Sequence, residues 1–320
     1  MLVRRFPWSL NQMKLFRRCL IFLVVNLCLN TASADSERNP NNTLIIVGSD
    51  TLSGLMTLWT QRFYSKNPEI SVEIQAVGSA AAPPALQQGT ANVGTMSRPM
   101  NSDEVAAFIA ETGRKPTEIV IAEDAVVFIV HPSNPIEYVT KNMIARTFGM
   151  PGTCGTSGRI LTWRGLSASH PFGRQRIQVV GRTATSGTYQ FFRSRALCGG
   201  DPGVFINEIP GGAGVANTVA RLPSALAYSA MTHANGDIKV LSVMDEKNKL
   251  VYPSDSSYPF KRRLYMYLPT SLEVAKGSAE CTFLTFIASD EGLEILLKSG
   301  FNLPDEGSSL TLIGAANACR

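Results

Sequence analysis

Three times between Thr43 and Thr112 an apolar stretch gives way to small and hydroxyl residues and then to a helical pattern. The run TLIIVG is followed by Gly48-Ser49-Asp50-Thr51 and then by LMTLWTQRFYSKNP, where Leu55, Leu58, Trp59 and Phe63 recur at helical spacing until Asn67-Pro68 stops the helix. ISVEIQAVG leads through Gly78-Ser79 into the short helical segment SAAAPPALQQG. ANVGTM leads through Ser97-Arg98 into a helix that opens near Ser102, with Asp103 and Glu104 in its first turn. Such alternation builds an α/β layout with a mainly parallel sheet. Loops at the carboxyl ends of those strands gather along one edge, where helices begin with unsatisfied N–H groups and a positive dipole end. Hydroxyl-rich loops at that edge suit an anion. Serine and threonine also cap helices without any ligand, and each loop taken alone fits either reading.

The long apolar run TEIVIAEDAVVFIVHP (117–132) reads as a crossing into a second region, richer in Gly, Pro and Arg. SALAYSA and GDIKVLSVMD read as further strands, PGGAGVANTVARLP as a plain loop-helix turn in preference to a further helix start at the cleft, and YPFKRRLYMYLP as the return crossing. SAECTFLTFIASDEGLEILLKSG reads as a helical tail packed on the first domain. The expected architecture is two α/β lobes around a cleft, with 35–122 plus 255–320 forming lobe I and 123–254 forming lobe II.

Residues 1–34 carry Arg4, Arg5, Lys14, Arg17 and Arg18 and no acid, then CLIFLVVNLCL, then TASA before Asp35. A basic start, a short apolar core and Ala-x-Ala at Ala32 and Ala34 are the layout of a secretory signal peptide. The apolar run is too short to span a bilayer. Met13 is an alternative start that leaves a compact signal. The expectation is an exported protein, periplasmic or secreted, beginning near Asp35. Five of the 30 Lys and Arg lie in this segment, so the mature chain balances 25 basic against 25 acidic residues. The basic pI belongs to the signal, which removes the case for nucleic acid or anionic lipid as a partner.

Cys19 and Cys28 fall in the signal, leaving Cys154, Cys198, Cys281 and Cys319. An even count in an exported chain favours disulfides, and four cysteines allow three pairings; Cys154 with Cys198 and Cys281 with Cys319 is the expected one. No CxxC occurs and His131, His170 and His233 are scattered, so neither a metal site nor another cofactor is expected.

The segment VVGRTATSGTYQFF (179–192) carries the chemistry. Gly181 ends a strand, Arg182 follows, and Ser186-Gly187-Thr188 open an amphipathic helix. An arginine fork grips two oxygens of an anion and stays charged, and a glycine beside it lets backbone amides approach. The Walker pattern is absent, which argues against a nucleotide. Ser186 lacks the GxSxG elbow and a recognisable base, which argues against a hydrolase.

IIVGSDT, AVGSAAA, VGTMSRPM, VVGRTATSGTYQFF and YPFKRRLYMYL together resemble, in order and spacing, the PstS family of phosphate-binding subunits of phosphate ABC transporters. The resemblance implies a two-lobed type II periplasmic-binding-protein fold, a monomer without catalysis, metal or cofactor. It implies one inorganic phosphate held in the cleft and delivered to an ABC transporter permease and ATPase. It carries ligand contacts onto Ser49, Asp50, Thr51, Ser79, Ser97 with Arg98 beside it, Arg182, Ser186, Gly187 and Thr188. Two family acids are missing here: one where Ser97 stands, which accepts the proton of hydrogen phosphate, and one near Ala184, which positions the arginine. Asp50 is then the substitute acceptor, and Arg98 either adds charge to the site or pairs with Asp50. A phosphatase-like, sensing or adhesion role on the same scaffold, or another tetrahedral oxyanion as ligand, are the alternative readings.

Overall fold

A computed structural model describes residues 42–304 and 310–320; the signal peptide expected over 1–34 lies outside the described residues. The first third forms β1 (Thr43–Gly48), α1 (Ser53–Tyr64), β2 (Ser71–Gln75), α2 (Ala82–Gln87), β3 (Val93–Met96) and α3 (Ser102–Thr112). Strand β1 runs in the middle, parallel to β2 on one side and β3 on the other. Helix α1 buries Leu55, Met56, Trp59 and Phe63. Leu58, expected among them from its spacing, is 48% exposed on the opposite face. Trp59 reaches across to donate its indole N–H to the Gly292 carbonyl at 2.8 Å.

The run at 117–132 is one long strand, β4 (Thr117–Val130), buried along most of its length. The chain continues through β5 (Tyr138–Thr140), α4 (Lys141–Phe148), α5 (Trp163–Leu166), β6 (Gln178–Arg182), α6 (Gly187–Ala196), β7 (Asn207–Ile209) and α7 (Gly212–Arg221). Then come β8 (Ala225–Ala230), β9 (Lys239–Met244), β10 (Leu250–Val251) and the returning strand β11 (Lys261–Leu268). The helical tail expected over 278–300 forms as α8 (Ala279–Ile287) and α9 (Asp290–Lys298), and α10 (Leu312–Cys319) follows it. Ser289 divides the first two by capping the Gly292 N–H, which starts a new helix where the apolar pattern alone reads as continuous.

The strands form one curled mixed sheet in the order β2-β1-β3-β11-β4-β8-β6-β7. The amino-terminal part of β4 pairs antiparallel with all of β11 from Thr117 to Ala125, and its carboxyl-terminal part pairs with β8 and β9 from Val126 to Val130. Each half of the sheet therefore keeps three parallel strands, β2-β1-β3 and β7-β6-β8, and meets the other through the antiparallel crossing strands. A strand of this length can serve two cores because both its faces are apolar.

One core gathers Phe128, Phe148, Phe192, Tyr228 and Phe260, with the Phe192 and Tyr228 rings stacked at 3.8 Å. The other gathers Trp59, Phe63, Phe283 and Phe286, where Phe63 meets Phe283 edge to face at 5.2 Å. Aromatic pairs of this kind add to the apolar area they remove from water. The disulfides Cys154–Cys198 and Cys281–Cys319 form as expected, the second tying α10 to α8. Among the described residues no helix is long and apolar enough to cross a membrane.

Candidate functional site

The loops after β1, β2 and β3 interlock through the backbone. Gly48 has φ +139°, and a Cβ there would lie 2.0 Å from the Thr95 carbonyl, so only glycine lets β1 turn this close to β3. Beyond it the Ser49 amide donates to the Thr95 carbonyl at 2.8 Å and the Gly78 amide to the Gly48 carbonyl at 2.8 Å. Ser79 Oγ accepts from the Ser97 amide at 3.0 Å and lies 3.2 Å from Ser97 Oγ. Ser49, Thr51, Ser79 and Ser97 are all buried, and among the described residues Ser49 Oγ meets no hydrogen-bond partner. None of these loops uses its serine as an ordinary helix cap: Ser49 and Ser79 make no side-chain capping bond.

From the other half, β6 delivers Arg182, whose side chain is 2% exposed. Its Nη2 lies 2.7 Å from Asp50 Oδ1, an ion pair whose geometry falls short of an aligned hydrogen bond, while Nε and Nη1 are buried without a partner among the described residues. Ser186 caps α6 by accepting from the Thr188 amide at 3.2 Å, and its hydroxyl hydrogen remains available to an acceptor. Gly187 packs so tightly that a Cβ would sit 2.3 Å from Ser79 Oγ and 2.5 Å from Ser97 Oγ. Thr188 Oγ1 is 3.1 Å from Thr51 Oγ1, and the Ala80 amide donates to the Thr185 carbonyl at 3.1 Å. Nine of the ten residues singled out from the sequence thus line one buried junction.

Arg98 is the exception. Its guanidinium takes both oxygens of Glu104 at 2.6 Å and the Pro99 carbonyl at 2.7 Å, and Nε donates to Gln190 Oε1. The expected alternative pairing with Asp50 is replaced by this one, because Glu104 is already held nearby by the capping box with Asn101 at the start of α3. Asp50 turns instead to the second half, where Oδ2 accepts from the Gly212 amide at 3.1 Å. The segment read as a plain loop-helix turn therefore starts α7 at the site. Its Gly211-Gly212 pair is what lets the backbone come this near, since a Cβ on Gly212 would lie 2.3 Å from His233 Nδ1.

Three polar groups escaped sequence reasoning. Arg262 on β11 and Asp124 on β4 are cross-strand partners with side chains 1% exposed, joined at 2.9 Å between Nη2 and Oδ2. The signal was present: with period two, Arg262 shares the inward face of β11 with Leu264, Met266 and Leu268. A charge there requires a buried acid. Burial lowers the Arg262 pKa, and Asp124 opposes that by holding the charge in place. His233 stands close by, with Nδ1 buried and unpartnered among the described residues; burial lowers its pKa against the pull of Asp50 and Asp124. His131 bonds Ser133 and His170 bonds Asn134, so neither serves Ser186 as a base.

Two α/β halves carried on a shared pair of crossing strands, with an arginine and hydroxyl loops meeting between them, define a solute-binding protein of the type II periplasmic class. A PBP superfamily domain is matched over residues 33–291. The chain is 34% identical over 262 residues to the phosphate-binding protein PstS of Pseudomonas aeruginosa, covering 80% of this chain and 81% of that one. It is 26% identical over 266 residues to PstS of Bacillus subtilis, covering 82% and 80%. Among solved structures, a putative phosphate ABC transporter substrate-binding protein with bound phosphate from Clostridium perfringens shares the fold with a TM-score of 0.67. That match has 23% identity and covers 82% of this chain and 99% of that one. An ABC-type phosphate transport receptor from Vibrio cholerae follows with a TM-score of 0.60, 19% identity and coverage of 82% and 100%. The chain belongs to the PBP superfamily and, within it, to the PstS family of binding proteins.

Proposed function

We propose that the protein captures inorganic phosphate at the junction of its two halves and hands it to an ABC transporter. The observation that carries this is Arg182, buried with Nε and Nη1 unpaired among the described residues, in the junction where the buried Ser49 hydroxyl is likewise unpaired. Buried donors of this kind are costly without an acceptor, and a tetrahedral oxyanion supplies acceptors in the number and spread they require. Ser49, Thr51, Ser79 and Ser97 contribute hydroxyls from one half. Arg182, Ser186, Gly187 and Thr188 contribute charge, hydroxyls and helix-terminal amides from the other. Arg98 acts at the rim, linking Glu104 to Gln190 across the two halves rather than holding the ligand.

Asp50 supplies the selectivity. At neutral pH phosphate keeps a proton and sulfate does not, and a carboxylate only accepts. The Arg182 and Gly212 contacts leave Asp50 lone pairs for a P–OH group, while the same carboxylate repels a fully ionised anion. Lobe I is read as 35–122 with 255–320 and lobe II as 123–254, and the mature protein as an exported monomer beginning near Asp35.

A thermal-shift panel with phosphate, arsenate, sulfate and molybdate tests the proposal, since a ligand that binds only the folded state raises the melting temperature. Phosphate and arsenate should raise it and sulfate should not. A shift with sulfate or molybdate alone would assign the site to a different oxyanion.

A further inference from the structure

Arg262 touches the ligand loops of both halves without standing among the residues carried over for ligand contact. Its Nη1 donates to Thr188 Oγ1 at 3.0 Å and to the Ser97 carbonyl at 3.3 Å; its Nη2 donates to Asp124 Oδ2 at 2.9 Å and to Thr51 Oγ1 at 3.4 Å. Thr51 and Thr188 therefore share one guanidinium and also lie 3.1 Å from each other. Among the described residues their hydroxyls bond only each other and Arg262.

The proton count of this triangle is fixed by chemistry. A guanidinium has five N–H donors and no acceptor, whereas each hydroxyl has one hydrogen and two lone pairs. Both Arg262 contacts are made to threonine lone pairs. The bond between the two hydroxyls uses one of their hydrogens, so the other is left over. That remaining hydrogen is repelled by the guanidinium and directed to an acceptor elsewhere.

We propose that Arg262, braced by Asp124, is a positioning residue that turns the Thr51–Thr188 hydroxyl pair into an obligatory donor toward the bound anion. It rests on the phosphate reading above and deepens it. An oriented donor favours the ionised oxygens of hydrogen phosphate, leaving its protonated oxygen to Asp50. Because Thr51 belongs to one half and Thr188 to the other, the single oriented donor of the pair forms only when the halves meet, so Arg262 couples closure to anion grip. Its place on the crossing strand β11, opposite Asp124 on the crossing strand β4, keeps the guanidinium fixed while the halves move.

The test is a coupling experiment by calorimetry with inorganic phosphate. Arg262→Lys keeps the charge next to Asp124 but lacks the fork that reaches both threonines. In the wild-type background it should weaken phosphate binding about tenfold or more, the scale of losing one charge-assisted orienting contact. In a Thr51→Val/Thr188→Val background the same change should cost less than about threefold, because the hydroxyls it orients are gone. Equal losses in both backgrounds, or no loss in the wild type, would overturn the role of Arg262 while leaving phosphate capture standing. Absence of phosphate binding by the wild type would instead overturn the functional reading, and this inference with it. Should Arg262→Lys fail to fold, Arg262→Gln/Asp124→Asn removes both buried charges together and carries the same comparison.

Discussion

Asp50 and Arg182 come from opposite halves of the molecule and meet at 2.7 Å, Oδ1 to Nη2, in a junction where the arginine side chain is 2% exposed. Asp50 also accepts from the Gly212 amide that opens α7. One carboxylate from the first loop is thus bound to two elements of the second half, and it does what the missing acid near Ala184 does in the resemblance: it positions the arginine. In the proposed reading the same carboxylate is the acceptor for a phosphate proton, which would place orientation of the arginine and choice of anion on one side chain.

Asp50→Asn separates those tasks. An amide still accepts through its oxygen but also donates through its NH2 group and carries no charge, so phosphate loses its preferred acceptor and sulfate loses the charge that repels it. A competition titration should show the phosphate-over-sulfate ratio falling by about tenfold or more, the scale of a hydrogen bond to a charged group. An unchanged ratio would remove Asp50 as the proton reader.

Gly187→Ala acts on closure. Its new Cβ would fall 2.3 Å from Ser79 Oγ and 2.5 Å from Ser97 Oγ; both serines are buried, their hydroxyls 3.2 Å apart, and Ser79 Oγ accepts from the Ser97 amide. The halves can relieve this contact by separating, so the cost of about 1–3 kcal/mol typical of overpacking falls on the closed form. Phosphate affinity should drop while the unliganded melting temperature stays near that of the wild type. A melting temperature lowered with affinity intact would show that the contact matters to folding alone.

Much of the fold is legible in the sequence because its strands are apolar runs bounded by glycine and proline, and the triple strand-loop-helix repeat leaves few arrangements of β1, β2 and β3. The site is legible where local chemistry marks it, as at Arg182 and Ser186-Gly187-Thr188. What escaped depends on long-range contact. Asp50 is an open partner for Arg98 in the sequence, but Glu104, six residues from it and fixed by its helix cap, captured the arginine. Arg262 and Asp124 lie in two runs that the sequence marks only as crossing segments, and their pairing depends on the register that places them opposite each other. Leu58 has core spacing but faces outward, since α1 lays only one stripe against the sheet.

The Cys281–Cys319 bridge should matter to stability and not to the ligand. It closes a span of 38 residues between α8 and α10, a constraint on the unfolded chain worth about 2–4 kcal/mol. Denaturant unfolding of Cys281→Ser/Cys319→Ser should show that loss with phosphate affinity within about twofold of wild type, as additive, distant sites behave. A large affinity change would place α10 in communication with the site.

His233 gives the fold a pH dependence. Burial holds its folded pKa below the ordinary 6.5, against Asp50 and Asp124, so the unfolded chain takes up a proton before the folded one does. Stability from this residue is unaffected above 6.5 and is lost as pH falls from there toward the folded value. His170, also lowered by burial, adds the same sign. Urea unfolding at pH 7.5 and 5.5 should show a smaller drop for His233→Asn than for the wild type. Equal drops would mean that His233 is protonated as readily folded as unfolded.

The most direct measurement is isothermal calorimetry of the mature protein with phosphate and with sulfate, repeated on Arg182→Ala. The wild type should bind one phosphate per chain and discriminate against sulfate. Arg182→Ala should lose about 2–5 kcal/mol of phosphate affinity, as expected for truncating a buried hydrogen-bonded charge, with its fold intact. Unchanged phosphate binding by a folded Arg182→Ala protein would contradict the account, because it would put the anion somewhere other than the junction of Asp50 and Arg182.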